Sequence, residues 1–377
     1  MRQWAIKSTR IAYQSFLKPA FFQQNPEAVH HRITRFGENL GRSQFWKNVI
    51  GRLFNASNPK LSQKVAGVVF SNPIGLAAGF DYEARLTQIL PFMGFGWQTI
   101  GTITALASGG NASPQLGRLP ISKSLMVNKG FRNLGITQTL IRLRGLRFVR
   151  PVGISIGRTN NPAVATLEAS VKDIVTSFRE VEKNRVPFSY YELNISCPNL
   201  GKGASFYEVK NLRVLLTQLD KLKLSQSVFI KMPITQPNEV VQQLLKEICR
   251  HSITGIIIGN VQTDRTVPSL DPGEVAKFKM GNFSGKPTQA RSDELIALAY
   301  KNFGKKLVIV GCGGVFNAED AYQKIQLGAT LIQMITGLIF EGPQVVTEIN
   351  LGLLKLLERD GYRNISEAIG TETYSKP

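Results

Sequence analysis

Apolar positions along this chain change their period near residue 65. Before it, Trp4, Ile11, Phe16, Leu17, Phe21 and Phe22 recur at roughly helical spacing. Asn25-Pro26-Glu27 reads as a helix start, with Asn as N-cap and Pro at the first position. The helix it opens is predicted to run to about Asn39, and another to cover residues 43–54. After residue 65, short β-branched runs alternate with longer amphipathic ones. Strands are predicted at 75–78, 98–101, 151–156, 190–195, 228–231, 255–259, 306–310 and 331–335. Helices are predicted near 83–93, 133–144, 163–183, 207–222, 237–251, 289–303, 317–327 and 344–358. Apolar strands in strict alternation with helices imply a parallel sheet, and eight such units imply a closed α/β barrel of the (β/α)8 TIM type. An open doubly wound sheet fits less well, because no G-x-G-x-x-G follows the first strand. The expected plan is a helical segment over 1–65, a barrel over 66–360 and a tail over 361–377.

The barrel reading gives the polar residues a meaning. Chemistry in such barrels sits at the C-terminal ends of the strands. Unusual residues recur there: Gly79 and Asp81, Thr102, Ser155, Asn194 with Cys197, Lys231, Asn260, Gly313-Gly314, and Thr336-Gly337. Eight strand ends so equipped point to an enzyme rather than a packed scaffold.

Composition narrows the partners. Net charge is +20 over 377 residues, which favours nucleic acid, an acidic membrane surface or an anionic small molecule. The charge is uneven: residues 1–70 carry eleven Lys or Arg against Glu27 and Glu38. Basic helices with aromatic faces can lie in a membrane interface; the bland alternative is a helical cap on the barrel. The three cysteines, Cys197, Cys249 and Cys312, are odd in number and show no C-x-x-C spacing. Neither a disulfide framework nor a zinc site is expected, and a reducing cytosol fits. His30 and His31 are adjacent and face different sides of a helix, so no metal pair is expected. No run of 18 apolar residues would span a bilayer, and no signal peptide is read at the N-terminus.

Three constellations carry candidate chemistry. Gly311-Cys312-Gly313-Gly314 before Asn317, with Thr336-Gly337 next, suits a phosphate held by bare backbone N–H groups after strands 7 and 8. Lys231 ends the apolar run Val-Phe-Ile-Lys and needs an anion or strong acceptor if it points into the barrel mouth; otherwise it snorkels to solvent. Cys197 stands between Asn194 and Asn199. It is a buried structural thiol, a nucleophile or a general base. A nucleophilic Cys usually needs a His. Two of the three His lie in the N-terminal helices and His251 is placed at the far end of the barrel, so the base is the preferred role.

These stretches resemble the dihydroorotate dehydrogenases, flavoproteins that use FMN. The resemblance spans about residues 20–350 and rests on Asn25-Pro26-Glu27-Ala28-Val29-His30, the run from Ser71-Asn72-Pro73 to Ala78-Gly79-Phe80-Asp81, Gly94-Phe95-Gly96 through Gly101-Thr102, Asn194-Ile195-Ser196-Cys197-Pro198-Asn199, Ser284-Gly285-Lys286-Pro287, Gly313-Gly314 and Thr336-Gly337. It implies oxidation of dihydroorotate to orotate in pyrimidine synthesis. Cys197 would remove the C5 proton, while Asn194, Asn199 and Asn260 hold the pyrimidine. Lys231 would support negative charge on reduced FMN. Ala78, Gly79, Thr102, Gly285, Gly314 and Thr336 match flavin contacts, with Tyr82, Ser155, Asn194, Gly259, Gly313 and Ile335 expected beside them. The N-terminal helices resemble the quinone-using class, in which such helices form a tunnel to the flavin. This implies a quinone acceptor and a peripheral place on the cytoplasmic side of the membrane, with no nucleic acid partner.

Three residues depart from the family pattern. Cys197 is the base of the soluble class, where the quinone class usually has Ser. Tyr82 stands where the family has a Lys that contacts flavin and substrate. Val127 replaces the Asn of the Asn-x-x-Gly loop. Lys129, with Asn128, is the expected substitute for the missing cation. Two other readings compete: a tRNA dihydrouridine synthase-like enzyme, which would use the positive charge on RNA but carries Gly before its Cys where this chain has Ser196, and a flavin-binding barrel with altered catalysis.

Overall fold

The computed structural model describes residues 2–201 and 203–373; the last four residues of the expected tail lie outside them. Eight parallel strands close a barrel: β1 (Ile74–Leu76), β2 (Trp97–Ile103), β3 (Val152–Ile156), β4 (Tyr190–Asn194), β5 (Val228–Met232), β6 (Gly255–Ile258), β7 (Val308–Cys312) and β8 (Leu331–Met334). Each pairs with its sequence neighbours, and β8 pairs with β1. The predicted (β/α)8 barrel is the fold observed.

Alternation along the strands sorts the side chains. On β4, Tyr191 and Leu193 pack outward among the helices. Tyr190 joins Trp97, Phe229, Ile257, Val310 and Leu331 in an inner layer at the barrel's N-terminal end. The hairpin Gln63–Val65 and Val68–Phe70 supplies Val65 and Phe70 to that layer, so it plugs the barrel floor. Glycine makes the aromatic layer possible: a Cβ on Gly153 would lie 2.1 Å from the Tyr190 ring. Gly153→Val is therefore expected to destabilise the protein by about 1–3 kcal/mol or more through overpacking, read as a lower midpoint in chemical denaturation.

Helices between the strands follow the same logic. The helix Leu167–Asn184 starts at Thr166, whose side chain accepts from Ala169 N, and stops where Arg185 turns left-handed at φ 50°. Its buried positions include Val171, Ile174, Val175, Phe178 and Val181, one stripe at helical spacing.

The N-terminal segment forms helices α1 (Arg2–Ala12), α2 (Lys18–Phe22), α3 (Pro26–Arg42) and α4 (Gln44–Phe54). Asn25 caps α3 by accepting from Glu27 N and Ala28 N at 2.9 and 3.0 Å. Helix α3 runs three residues beyond the predicted end, and Ser43 caps α4.

One expectation fails. Residues 83–93 are not a helix; they hold turns and a single 3-10 turn over Leu90–Met93. The buried Asp81 carboxylate takes the N–H groups of Arg85 and Leu86, at 2.7 and 2.9 Å. Ala84 is left-handed at φ 54°, and Pro91 lacks a donor. The place of that helix is filled by α3, whose Gly37 and Gly41 let it close on Leu86 and Gln88. A second feature has no counterpart in the predicted pattern. An antiparallel sheet of Leu116–Leu119, Ser124–Val127 and Asn282–Gly285 contributes Leu116, Leu125, Ser284 and Gly285 to the cavity at the barrel mouth.

Candidate active site

At the C-terminal rim of the barrel lies a cavity with about 1230 Å³ of empty space, partly open to solvent. Strand ends scattered through the sequence converge on it. Its walls include Ala78, Gly79 and Tyr82 after β1 and Thr102 at the end of β2. Asn194, Cys197 and Asn199 come from β4 and its loop, Lys231 from β5, and Gly259 and Asn260 from the end of β6. Gly285, Gly313, Gly314, Ile335 and Thr336 line the opposite side, and Lys129 enters from the loop beside the antiparallel sheet.

Two expected site residues do not line the cavity. Asn128 is buried and turns away, its Oδ1 accepting from Asn111 Nδ2 at 2.9 Å. Ser155 sits beneath the cavity floor, inside the barrel, where its hydroxyl reaches Glu192 at 3.1 Å and Thr102 at 3.0 Å.

The three amides are held by hydrogen bonds from several elements of the fold. Asn194 donates to Thr102 Oγ1 at 2.8 Å and accepts from Ser196 N–H and Oγ–H, both at 3.2 Å. Asn260 donates to Ser196 Oγ at 2.6 Å. Asn199 accepts from Asn282 Nδ2 at 2.6 Å, and its carbonyl accepts from Asn111 Nδ2 at 2.8 Å. Ser196 was legible as part of its motif; Asn111 and Asn282 carry no local signal. Ser284, bonded to Thr336 Oγ1 at 2.8 Å, belongs to a recognised motif but was not assigned to the site.

Cys197 lies half-buried among these groups. Burial pushes its thiol up to about 11, while the Asn199 N–H, Lys231 and Arg158 pull the other way. Desolvation dominates and favours the protonated thiol.

Lys129 lies with its Nζ 3.9 Å from the Tyr82 ring centroid. The opposite partner of that ring is His30, stacked at 5.1 Å and 10°. His30 Nε2 donates to the Phe80 carbonyl at 2.8 Å, which leaves Nδ1 to accept from Tyr82 Oη at 3.4 Å. Among the described residues Lys129 has no carboxylate within ion-pair distance, whereas neighbouring Arg132 has Glu27 at 3.9 Å. Burial, reinforced by Arg132, lowers Lys129 to about 7. Burial and Lys129 lower His30 to about 3, so it is neutral at ordinary pH.

A second cavity adjoins the first. It lies between the N-terminal helices and the barrel and holds about 1670 Å³ of empty space, partly open to solvent, with walls from Leu17, Phe21, Val29, Ile33, Phe36 and Leu40. His30, Phe80, Leu116, Leu125 and Ile339 face both cavities. Arg118 stands at its edge, with its guanidinium 4.9 Å from the Phe22 ring centroid and donating to Gln24 O at 2.6 Å. The outer faces of these helices expose Trp4, Phe16 and Phe45 at 75%, 71% and 66%. No helix among the described residues is long and apolar enough to cross a membrane.

The glycine-lined side suits a flat, phosphorylated group. Gly79, Gly285, Gly313 and Gly314 all take positive φ. The loops after β7 and β8 pack so closely that a Cβ on Gly337 would lie 2.0 Å from the Val315 carbonyl. Lys231 supplies a cation at the cavity floor.

A family model described as dihydroorotate dehydrogenase matches residues 60–357. A protein of Trichodesmium erythraeum named dihydroorotate dehydrogenase (quinone) is 32% identical over 95% of this chain and 98% of its own length. One of the same name from Corynebacterium efficiens is 33% identical over 95% of this chain and 93% of its own. Among solved structures, the Eimeria tenella DHODH in complex with ferulenol superposes with a TM-score of 0.81 at 23% identity, covering 95% of this chain and 99% of that one; this last likeness speaks to the fold alone.

Proposed function

The chain belongs to the dihydroorotate dehydrogenase family, and on that premise we propose that it oxidises dihydroorotate to orotate with FMN in pyrimidine synthesis and passes the electrons to a quinone. The observation that carries the quinone assignment is the apolar chamber, which meets the polar cavity at His30 and Phe80. An apolar acceptor can approach from the helical side while the polar substrate occupies the other.

Bound FMN would accept the hydride from C6 of the substrate. Gly313, Gly314, Ile335 and Thr336 would hold its phosphate, Ala78, Gly79, Thr102, Gly259 and Gly285 would pack around it, and Lys231 would lie beside its ring. The chain's own residues do the rest. Asn194, Asn199 and Asn260 orient the pyrimidine, each already fixed by a hydrogen bond that removes the entropy of orienting it later. Cys197 takes the proton from C5. The thiolate needed is favoured by the Asn199 N–H, Lys231 and Arg158, against the effect of burial. Lys129 meets the substrate carboxylate, and Tyr82 supports it from below through the ring face. The exposed aromatics and basic residues of α1 to α4 suit a peripheral seat on an acidic membrane surface, on its cytoplasmic side.

The direct test is a steady-state assay of the yellow protein with dihydroorotate, comparing quinone, fumarate and NAD as acceptors. Turnover with fumarate or NAD alone would sink the quinone assignment. Filling the chamber gives a sharper version. Ile33→Trp is expected to cut quinone turnover at least tenfold while leaving the rate of flavin reduction by dihydroorotate unchanged. Parallel loss of both rates would make the chamber structural.

A further inference from the structure

Glu192 stands in the middle of β4 between two apolar or aromatic neighbours, and is 0% exposed. Nothing in its local sequence explains a carboxylate there. Inside the barrel it is the end point of two hydrogen-bond chains. Asn194 Nδ2 donates to Thr102 Oγ1 at 2.8 Å. The Thr102 hydroxyl, with its oxygen so engaged, can donate to Ser155 Oγ at 3.0 Å, and Ser155 donates to Glu192 Oε1 at 3.1 Å. From the other side Gln333 Nε2 donates to Glu192 Oε2 at 3.3 Å. Every donor points at the carboxylate and none accepts from it.

Such a buried anion needs a cation. Lys231 Nζ lies 4.0 Å from Glu192 Oε1, and both side chains are almost wholly buried, at 6% and 0%. Lys231 also lines the cavity. The cation offered to that cavity is therefore half of an ion pair, with its counter-charge directly beneath it.

We propose that Glu192, acting through Lys231, holds down the reduction potential of the flavin. This rests on the reading that FMN lies beside Lys231. An ammonium held against Glu192 is shared between that carboxylate and a ring that gains negative charge beside it, so in this low-dielectric interior its pull on the ring is weakened. Glu192 is a positioning residue: it does not line the cavity, and it sets how much of the Lys231 charge is available. The resulting flavin gives up electrons more readily, which suits transfer to an acceptor in the apolar chamber.

The test uses sulfite, which adds to oxidised flavins to form an anionic adduct and so reports local positive charge without turnover. It is run on the full-length FMN-loaded protein, alongside the midpoint potential. Glu192→Gln keeps the shape and removes the charge. It is expected to tighten sulfite binding on the order of tenfold, with an upward shift in potential; tenfold corresponds to about 30 mV for a two-electron couple. Glu192→Asp, which keeps the charge, is expected to stay near the parent. In a Lys231→Met background the Glu192→Gln effect is expected to vanish. If Gln at 192 prevents folding or flavin binding, Glu192→Ser, which leaves room for a water among the same donors, is read in the same assay. Unchanged sulfite affinity on loss of the charge, or an equal effect in both backgrounds, overturns the proposal. If Lys231→Met alone leaves sulfite affinity untouched, the fault lies in the placing of FMN beside Lys231.

Discussion

Alanine at position 197 is expected to leave the protein yellow and to slow flavin reduction by dihydroorotate roughly 10²–10⁴-fold, the scale of lost general-base catalysis. Cys197 lines the cavity, but the amide side chains around it are held by other groups, so the cavity should survive the change. Stopped-flow bleaching of the flavin measures the rate, and a near-normal rate in Cys197→Ala would remove Cys197 from the base role. Serine at the same position tests the identity of the base. A hydroxyl ionises far less readily than a thiol, and a serine in this pocket, which burial already sets against anions, is expected to be slower than the parent.

The second large effect belongs to Lys129. Its charge has no carboxylate within ion-pair distance among the described residues, and it lies over the Tyr82 ring. Lys129→Met is expected to weaken orotate binding roughly 10- to 100-fold, the cost of a lost charge-assisted hydrogen bond. Binding of a pyrimidine that lacks the carboxylate should barely change. Equal weakening of both ligands would show a packing role instead.

The two residues together fix the sign of the pH dependence of kcat/KM. Lys129 must be protonated and is lowered to about 7 in the free protein; Cys197 must be deprotonated and is raised to about 11. Below about 7 the rate should rise tenfold per pH unit, as the thiolate fraction grows while Lys129 stays charged. Between about 7 and 11 the gain in thiolate and the loss of ammonium cancel, giving a plateau. In Lys129→Met the plateau should be replaced by a continuous rise, from a lower starting rate. A parent profile without a break near 7 would count against Lys129 as the carboxylate's partner.

What was legible in the sequence follows from which signals are local. Strand β4 reads as a strand because its residues match a buried sheet, and its ending Asn194 and Cys197 read as chemistry because a buried strand has no packing use for them. The N-cap Asn25 and the glycine pairs are equally local. The helix expected over residues 83–93 failed because one buried carboxylate, Asp81, captured two of its N–H groups, and α3, from far upstream in the chain, took its place. Asn128 and Lys129 were taken together as neighbours, yet they leave the same strand end in opposite directions, so only Lys129 reaches the cavity. Ser155 lies one layer too deep.

By itself, then, the sequence determined the barrel, the rim positions and the family, because alternating periods and strand-end residues are written within a few positions of one another. The tertiary structure alone decided the rest. Burial decided that the thiol of Cys197 sits near 11 and the ammonium of Lys129 near 7. The docking of α3 onto the barrel decided that an apolar chamber meets the cavity at the barrel mouth at His30. Barrel closure decided that Glu192 lies beneath Lys231. Desolvation and charge pairing depend on groups far apart in the chain, and no local period encodes them.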